Sequence, residues 1–198
     1  TTAITSTTTT GQALITGTIN TNTIDDTASV SFVPGPADST RSSILSALDN
    51  IVADGITNSL ITISLQDAFG NALISGGDSV TISSSLGTTG IVIDNANGSY
   101  SATLRSGTTI GTSTITGTVN GSNITTSETV NFLALPTIEP LIINRSTPTI
   151  SGTSPIIPGS NFTVTVNNII YQAGDGSLSL NGSNWTLNIP LANALSDG

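Results

Sequence analysis

Several side chains that carry out much of enzyme chemistry are absent from this sequence. The 198 residues include no cysteine, methionine or histidine, and the only cations are three arginines, Arg41, Arg105 and Arg145. Without Cys, His and Lys, the usual nucleophile and base pairs, imidazole proton transfer, and nitrogen or sulfur zinc sites are excluded. We therefore predict that the chain is not an enzyme and has no catalytic residues.

Positive charge is also scarce. Twelve carboxylates against three cations give a net charge of −9. Such a chain cannot neutralise a phosphate backbone or an anionic lipid surface, so we expect neither nucleic acid nor membranes as partners. No apolar run approaches the roughly 18 residues that a membrane-spanning helix needs, so we expect no membrane insertion in this segment.

What the sequence has instead is the pattern of β-strands. Hydrophobic residues make up 36% and charged residues 8%, and small polar residues alternate with β-branched ones, as in half-buried strands. Ser59–Gln66 places Ile61, Ile63 and Leu65 on one face. Trp185, Leu187 and Ile189 alternate in the same way. No helical period is present, so the fold class is predicted to be all-β.

The sequence from Gly11 to Phe32 recurs 100 residues later, from Gly111 to Phe132. The register holds without a gap from Ile4 and Leu104 to Val33 and Leu133. Identical pairs include Gly11/Gly111, Ile15/Ile115, Gly17/Gly117, Asn20/Asn120, Ile24/Ile124, Val30/Val130 and Phe32/Phe132. A period of about 100 residues is the size of one small immunoglobulin-like sandwich, so we predict tandem sandwiches joined end to end as a rod.

Proline-containing linkers divide the chain into three parts. Residues 1–37 are expected to be the C-terminal strands of an incomplete domain, beginning with a strand at Thr1–Thr5 and ending at Pro34-Gly35-Pro36. Residues 38–136 are expected to form one complete domain, with a split first strand at Ser42–Leu48 and Asn50–Ala53 and a later strand at Ala72–Ser75. Residues 137–198 are expected to form an incomplete domain of a second type. Because methionine is absent and both ends fall inside domains, we expect a segment of a longer protein.

The middle part contains, in order, the motifs Ile51-Val52-Ala53-Asp54-Gly55, Ile61–Ala72, Val80–Gly87, Asp94–Gly98 and Val119-Asn120-Gly121. Through these motifs the chain resembles the bacterial Ig-like domains of the invasin and intimin type, in full over 38–136 and in part over 1–37. The tail, from about 141 to 198, resembles the Ig-like repeats of large biofilm adhesins, through Thr149-Ile150-Ser151-Gly152-Thr153 and Ala194-Leu195-Ser196-Asp197-Gly198. These resemblances imply a surface-anchored or secreted protein in which tandem sandwiches hold a tip away from the cell.

Calcium is the one metal that the composition allows. Aspartates stand in turns and near junctions, where several oxygens could converge, although aspartate in a turn usually accepts hydrogen bonds from its own backbone. No calcium-loop pattern occurs, so we predict turn residues and leave calcium at a domain junction as the alternative. Asp25 and Asp26, the only adjacent acids, align with Thr125 and Thr126 and are predicted to be a solvated turn. The candidates for calcium are Asp38, Asp54, Asp67, Asp94, Asp175 and Asp197.

Sugar binding would require exposed aromatic rings, which are rare here. Phe32, Phe132 and Trp185 lie at alternating positions of strands and are predicted to be core residues. The triplets Asn97-Gly98-Ser99 and Asn184-Trp185-Thr186 are expected from composition alone. A lectin-like module is therefore the least favoured hypothesis.

Two functions remain. The first is a non-catalytic stalk or spacer of a bacterial surface adhesin, whose partners are its own neighbouring domains and whose ligand at the tip is unknown. The alternative is a subunit of an extracellular filament, formed by strand exchange between the incomplete end domains of copies of the chain.

Overall fold

The computed structural model describes residues 5, 7–155 and 161–195. Within these ranges the chain consists of β-strands, turns and one short 3-10 helix at Leu191–Asn193. The prediction of an all-β fold is confirmed. No helix in the described ranges is long and apolar enough to cross a membrane.

The first unit, up to residue 36, is a small closing hairpin. Its two longer strands pair in antiparallel fashion, with Gly11 opposite Phe32 and Ile15 opposite Ala28. The predicted strand at Thr1–Thr5 lies almost entirely outside the described residues. The strands are β1 (Gly11–Ile15), β2 (Thr18–Ile19), β3 (Asn22–Thr23) and β4 (Ala28–Phe32).

The central domain, residues 38–136, contains ten strands because its apolar residues alternate over short runs that end in glycine or Asx turns. The strands are β5 (Ser43–Ser46), β6 (Asn50–Val52), β7 (Asn58–Ser64), β8 (Val80–Ser84), β9 (Thr88–Thr89), β10 (Ile93–Asp94), β11 (Ser99–Arg105), β12 (Gly111–Val119), β13 (Ser122–Asn123) and β14 (Glu128–Leu133).

These strands form two packed sheets. One sheet has the order β10-β11-β7-β5, with β9 also on β11, and the other has β13-β12-β14-β6, with β8 also on β12. Their inner faces form one apolar core, which includes the predicted inward residues Ile61, Ile63, Leu65 and Phe132. This arrangement is the sandwich that the alternation predicts.

The first strand of the domain is divided between the sheets, as the sequence predicted. β5 pairs with β7 in antiparallel fashion, whereas β6 pairs with β14 in parallel. The chain crosses from one sheet to the other at Ala47–Asp49, where the Ser59 hydroxyl accepts from the Leu48 N–H and donates to the Leu48 carbonyl, both at 3.0 Å. This bridge satisfies backbone groups that would otherwise be unpaired at the crossing.

One predicted strand is wrong. Ala72–Ser75 is not a strand, because only Ala72 forms a bridge, to Gln66. The chain leaves the sheet after the Leu73 N–H donates to the Leu65 carbonyl at 3.0 Å. Gly76 and Gly77 follow, and Gly77 has φ +111°, which no strand accommodates.

The sequence repeat is also a structural repeat. In the central domain Gly111 pairs with Phe132 and Ile115 with Glu128, which is the register of β1 and β4 shifted by 100 residues. The Ile24 N–H donates to the Gly17 carbonyl at 2.8 Å, and Ile124 donates to Gly117 at 2.9 Å. We call residues 11–33 the first closing hairpin and residues 111–133 the second closing hairpin.

The two hairpins differ in what covers them. Ile115, Val119 and Ile124 of the second hairpin are buried in the sandwich core. Their counterparts in the first hairpin, Ile15, Ile19 and Ile24, are 38%, 64% and 40% exposed. No strand in the described ranges pairs with the outer edges of β1 and β4. The same apolar face is therefore covered in one copy and open in the other.

The third unit, from residue 137, has a separate core around Trp185, which packs against Phe162 with ring centroids 5.9 Å apart. The predicted inward alternation of Trp185, Leu187 and Ile189 is confirmed. Its strands are β15 (Thr137–Ile138), β16 (Thr149–Thr153), β17 (Thr163–Val166), β18 (Ile169–Gln172), β19 (Leu178–Asn181) and β20 (Asn184–Asn188).

Candidate functional site: the joint between the first hairpin and the central domain

Asp54 shows how the candidate calcium ligands are used. Its carboxylate accepts from the N–H groups of Ile56 and Thr57 at 2.9 and 2.7 Å, and from the Thr57 hydroxyl at 2.6 Å. The Ser106 hydroxyl donates from across the domain at 3.1 Å. These bonds, first of all the one from the Thr57 hydroxyl, hold the pKa of Asp54 well below its ordinary value.

The other candidates in the described ranges also bind their own turns. Asp38 accepts from the N–H and hydroxyl of Thr40, which lower its pKa. Asp94 accepts from the N–H groups of Ala96 and Gly77. Asp175 accepts from Ser177, Leu178 and Gln172, and the bond from the Leu178 N–H is the main reason that its pKa is lowered. Asp197 lies outside the described residues. No group of three or more acidic residues in the described ranges is placed to hold a metal ion.

Asp67 differs because one of its donors comes from the linker. Its side chain is only 3% exposed. Oδ1 accepts from the N–H groups of Phe69 and Asn71, both at 2.9 Å, and Oδ2 accepts from the N–H of Gly35, also at 2.9 Å. The Asn71 amide, which bonds both oxygens, is the largest cause of a pKa lowered to about 2. The carboxylate is thus ionised and saturated with donors.

Asn71 extends this network to the residues just before the first closing hairpin. Its Nδ2 donates to the carbonyl of Thr8 at 2.8 Å, and its Oδ1 accepts from the N–H of Thr10 at 3.4 Å. The turn keeps this shape because Gly70, at φ +85°, takes a conformation that favours glycine. We call residues 67–71 the clasp turn, and the clasp turn together with Gly35, Thr8 and Thr10 the joint.

The joint was only half predicted from the sequence. The turn position of Asp67 and its bonding to its own backbone were expected, but the contacts of Asp67 and Asn71 with residues before the domain were not. The only signal was that a buried aspartate followed four residues later by asparagine offers more donors and acceptors than one turn uses.

The remaining candidates are placed as follows. Asp25 and Asp26 are exposed between β3 and β4, in keeping with a solvated turn. Phe132 and Trp185 are buried as predicted, and Phe32 is half-buried. The Asn97 side chain accepts from the N–H and hydroxyl of Ser99, and Asn184 is an exposed residue of β20.

An open groove of about 520 Å³ lies beside the joint. Its walls come from the linker and from the segment that follows the clasp turn, including Val33, Pro34, Leu73 and Ile74. Among the described residues that line it, Asp78 is the only ionisable one. The groove therefore offers no acid and base pair for catalysis.

Comparison with known proteins agrees with this architecture. Residues 38–135 match the protein family described as invasin, domain 3. Among solved structures, the Escherichia coli adhesin FdeC superimposes with a TM-score of 0.53 at 21% identity, covering 94% of this chain and 67% of FdeC.

Two further structures are similar at lower TM-scores. Invasin, a bacterial integrin-binding protein, is 23% identical with a TM-score of 0.48, and the match covers 91% of this chain and 40% of invasin. The Yersinia pseudotuberculosis adhesin InvE is 20% identical with a TM-score of 0.47, covering 80% of this chain and 53% of InvE. This chain therefore spans about half the length of InvE and less of invasin.

The matched residues coincide with the central domain that the sheets and the core define. Residues 38–135 therefore belong to the bacterial immunoglobulin-like domains of the invasin and intimin type.

Proposed function

We propose that this chain is a non-catalytic stalk or spacer segment of a bacterial surface adhesin, exposed on the cell or secreted, which supports adhesion or biofilm formation. Its immediate partners are the neighbouring Ig-like domains of the same protein. In this proposal 1–37 is the end of one domain, 38–136 is a complete domain, and 137–198 belongs to a domain of a second type.

The observation that carries this proposal is the open face of the first closing hairpin. In the second hairpin the same positions are covered by residues 38–110, with β6 beside β14 and β8 beside β12. Burying an isoleucine side chain contributes roughly 1.5–3 kcal/mol, so leaving Ile15, Ile19 and Ile24 exposed forgoes several kcal/mol. A half-domain with the pattern of residues 38–110 fits this face, and its presence would make the chain part of a tandem array.

A graft tests the tandem arrangement. Residues 38–106 are placed directly before residue 7 of the full chain, which keeps the 100-residue register. We expect amide hydrogen exchange at Ala13, Ile15 and Val30 to slow toward the rates of Ser113, Ile115 and Val130. Unchanged fast exchange in the first hairpin would contradict the proposal.

Ile15 provides the matched control for this experiment. In the ungrafted chain, Ile15→Ala should change stability little, because the side chain is already 38% exposed. In the grafted chain the same substitution should destabilise the new domain by about 2–5 kcal/mol, as expected for a buried isoleucine. Equal small effects in both chains would mean that the graft does not cover the face.

The filament alternative rests on the same open face. Residues 1–198 contain one opening half, residues 38–110, and two closing hairpins, so exchange of that half between copies would uncover one hairpin for each hairpin that it covers. Exchange through residues 137–198 would join domains of two different types. The pairing within this chain therefore favours the stalk over the filament.

Negative-stain electron microscopy with light scattering separates the two functions. We expect monomers that appear as short rods, with and without calcium. Filaments with an axial repeat would overturn the stalk proposal in favour of strand exchange.

A further inference from the structure

The joint forms a specific contact between two units of the chain. Three residues of the first unit reach the clasp turn through backbone groups: Gly35 on Asp67, and Thr8 and Thr10 on Asn71. Because these partners are backbone atoms, they are fixed by the path of the chain and not by flexible side chains. The clasp turn thus binds both the linker and the residues just before β1 of the first unit.

The second junction has no comparable contact. Its linker residues are exposed, with Leu135 at 55% and Ile142 fully exposed. In the described ranges, no hydrogen bond connects residues before Pro136 with residues after it. The sequence from 137 to 198 also lacks the Asp-x-x-Gly-Asn pattern of the clasp turn.

The central domain nevertheless has backbone groups that correspond to those that Asn71 binds in the first unit. By the 100-residue repeat, the Thr108 carbonyl and the Ile110 N–H correspond to the groups of Thr8 and Thr10 that bind Asn71. Thr108 and Ile110 are both exposed, and no bond from their backbone to another described residue is formed. This edge could bind the clasp turn of a following domain of the same type.

We propose that the clasp turn is a docking element that recognises the closing hairpin and linker of a preceding unit of the same type, and fixes the angle between the two units. Where the next unit lacks a clasp turn, as after Pro136, the chain has a hinge. This inference concerns the orientation of the units and holds whether or not the protein is a stalk.

Spin-label distance measurements test the proposal directly, because the chain has no cysteine and each label pair is unique. Ser29→Cys with Thr103→Cys spans the first junction, and Thr114→Cys with Thr165→Cys spans the second; all four side chains are exposed. We expect a narrow distance distribution across the first junction and one at least twice as wide across the second. Equal widths would overturn the proposal.

Substitutions then test whether the clasp turn causes the narrow distance distribution across the first junction. Asn71→Ala removes both bonds to Thr8 and Thr10 and should at least double the width of the distance distribution across the first junction. Asp54→Asn is the matched control, since Asp54 caps a turn of the same domain with similar bonds but touches no other unit. Slow amide exchange at Ile63 shows that the variants remain folded. If Asn71→Ala leaves the width unchanged, or if Asp54→Asn widens it equally, the proposal is wrong.

A transplant tests the edge at Thr108 and Ile110. In this variant residues 34–136 replace residues 134–198, so a domain with a clasp turn follows the central domain. The labels are placed at Thr129, the counterpart of Ser29, and at Thr103 of the transplanted copy, both exposed in the native chain. The distance distribution across this junction should then be as narrow as that across the first junction. A distribution as wide as that of the native second junction would overturn recognition by this edge.

Discussion

Glycine stands at the same place in both closing hairpins, at positions 17 and 117, but its surroundings differ. A methyl group on Gly117 would lie 2.9 Å from the backbone oxygen of Thr81 and 2.7 Å from Ile63 Cδ1. On Gly17 the only close contact would be the end of the flexible Ile24 side chain, at 2.8 Å. Glycine is therefore required at position 117, where β8 lies alongside. In the described ranges, Gly17 has no such neighbouring strand.

This contrast gives a prediction for a matched pair of variants. Gly117→Ala should destabilise the central domain by about 1–3 kcal/mol, because the methyl group meets a backbone atom that cannot move cheaply. Gly17→Ala should change stability by less than about 0.5 kcal/mol, as for surface substitutions. Urea unfolding measures both, and equal effects would contradict the difference in covering.

The aspartates make stability depend on pH. Hydrogen bonds lower the pKa of Asp38, Asp54, Asp67 and Asp175 in the folded chain, to about 2 for Asp67. A lowered pKa contributes stability above the unfolded value, near 3.8, and that stability is lost as pH falls toward the folded value. We expect Tm to be flat from pH 7 to 5 and to fall between pH 4 and 2. Thermal melts followed by circular dichroism measure this, and Asp54→Asn should reduce the slope.

At the scale of the element, the turns of the two hairpins have different sequences but the same backbone conformation. Asn20-Thr21 and Asn120-Gly121 both have positive φ at each position, with +71° at Thr21 and +81° at Gly121. A β-branched residue is strained there, whereas glycine is not. The turn of the first hairpin is therefore strained at Thr21, whereas the turn of the second hairpin is not strained at Gly121.

Exchanging the turn residues should move this backbone strain from the first hairpin to the second. Gly121→Thr should destabilise the central domain by about 1–2 kcal/mol, which a shift in the urea midpoint would report. Thr21→Gly should slow amide exchange at Ile24, whose N–H closes the turn region on Gly17. Faster exchange in Thr21→Gly would contradict this account.

The elements that the sequence predicted well are those with strong local patterns. Alternation identified the buried faces of Ser59–Gln66 and of Trp185, Leu187 and Ile189, and the repeat identified both hairpins. The prediction of a strand at Ala72–Ser75 failed because only Leu73 packs against the core, Ile74 is exposed, and the following glycines turn the chain away. The joint was missed because it depends on contacts between Asn71 and Thr8, which lie 63 residues apart. Local patterns carry no information about such pairs.

At the scale of the whole molecule, the two buried cores predict separate unfolding. The core of the central domain and the core around Trp185 share no residue. We expect the fluorescence of Trp185, the single tryptophan, to report unfolding of the third unit alone. Amide exchange at Ile63 reports unfolding of the central domain. Ile189→Ala should lower the fluorescence midpoint and leave the exchange at Ile63 unchanged. A shift in both would indicate one cooperative unit.

Calcium should not change this behaviour. Each candidate aspartate in the described ranges already accepts hydrogen bonds from its own turn, so binding a cation would require breaking them. We expect the same Tm in calcium and in EDTA, measured at pH 7. A rise of several degrees with calcium would point to a junction site and revive that alternative.

The parallel pairing of β6 with β14 has a mechanical consequence. These strands lie near the beginning and the end of the central domain, and Asn50–Val52 run alongside Asn131–Leu133 in the same direction. When the two ends of the domain are pulled apart, the strands must slide past each other. Their bonds, together with those from Ala53 to Leu133 and from Asn131 to Asp49, are then loaded in shear and must break together instead of one after another. In the stalk that we propose, tension along the chain would be resisted at this short patch of backbone.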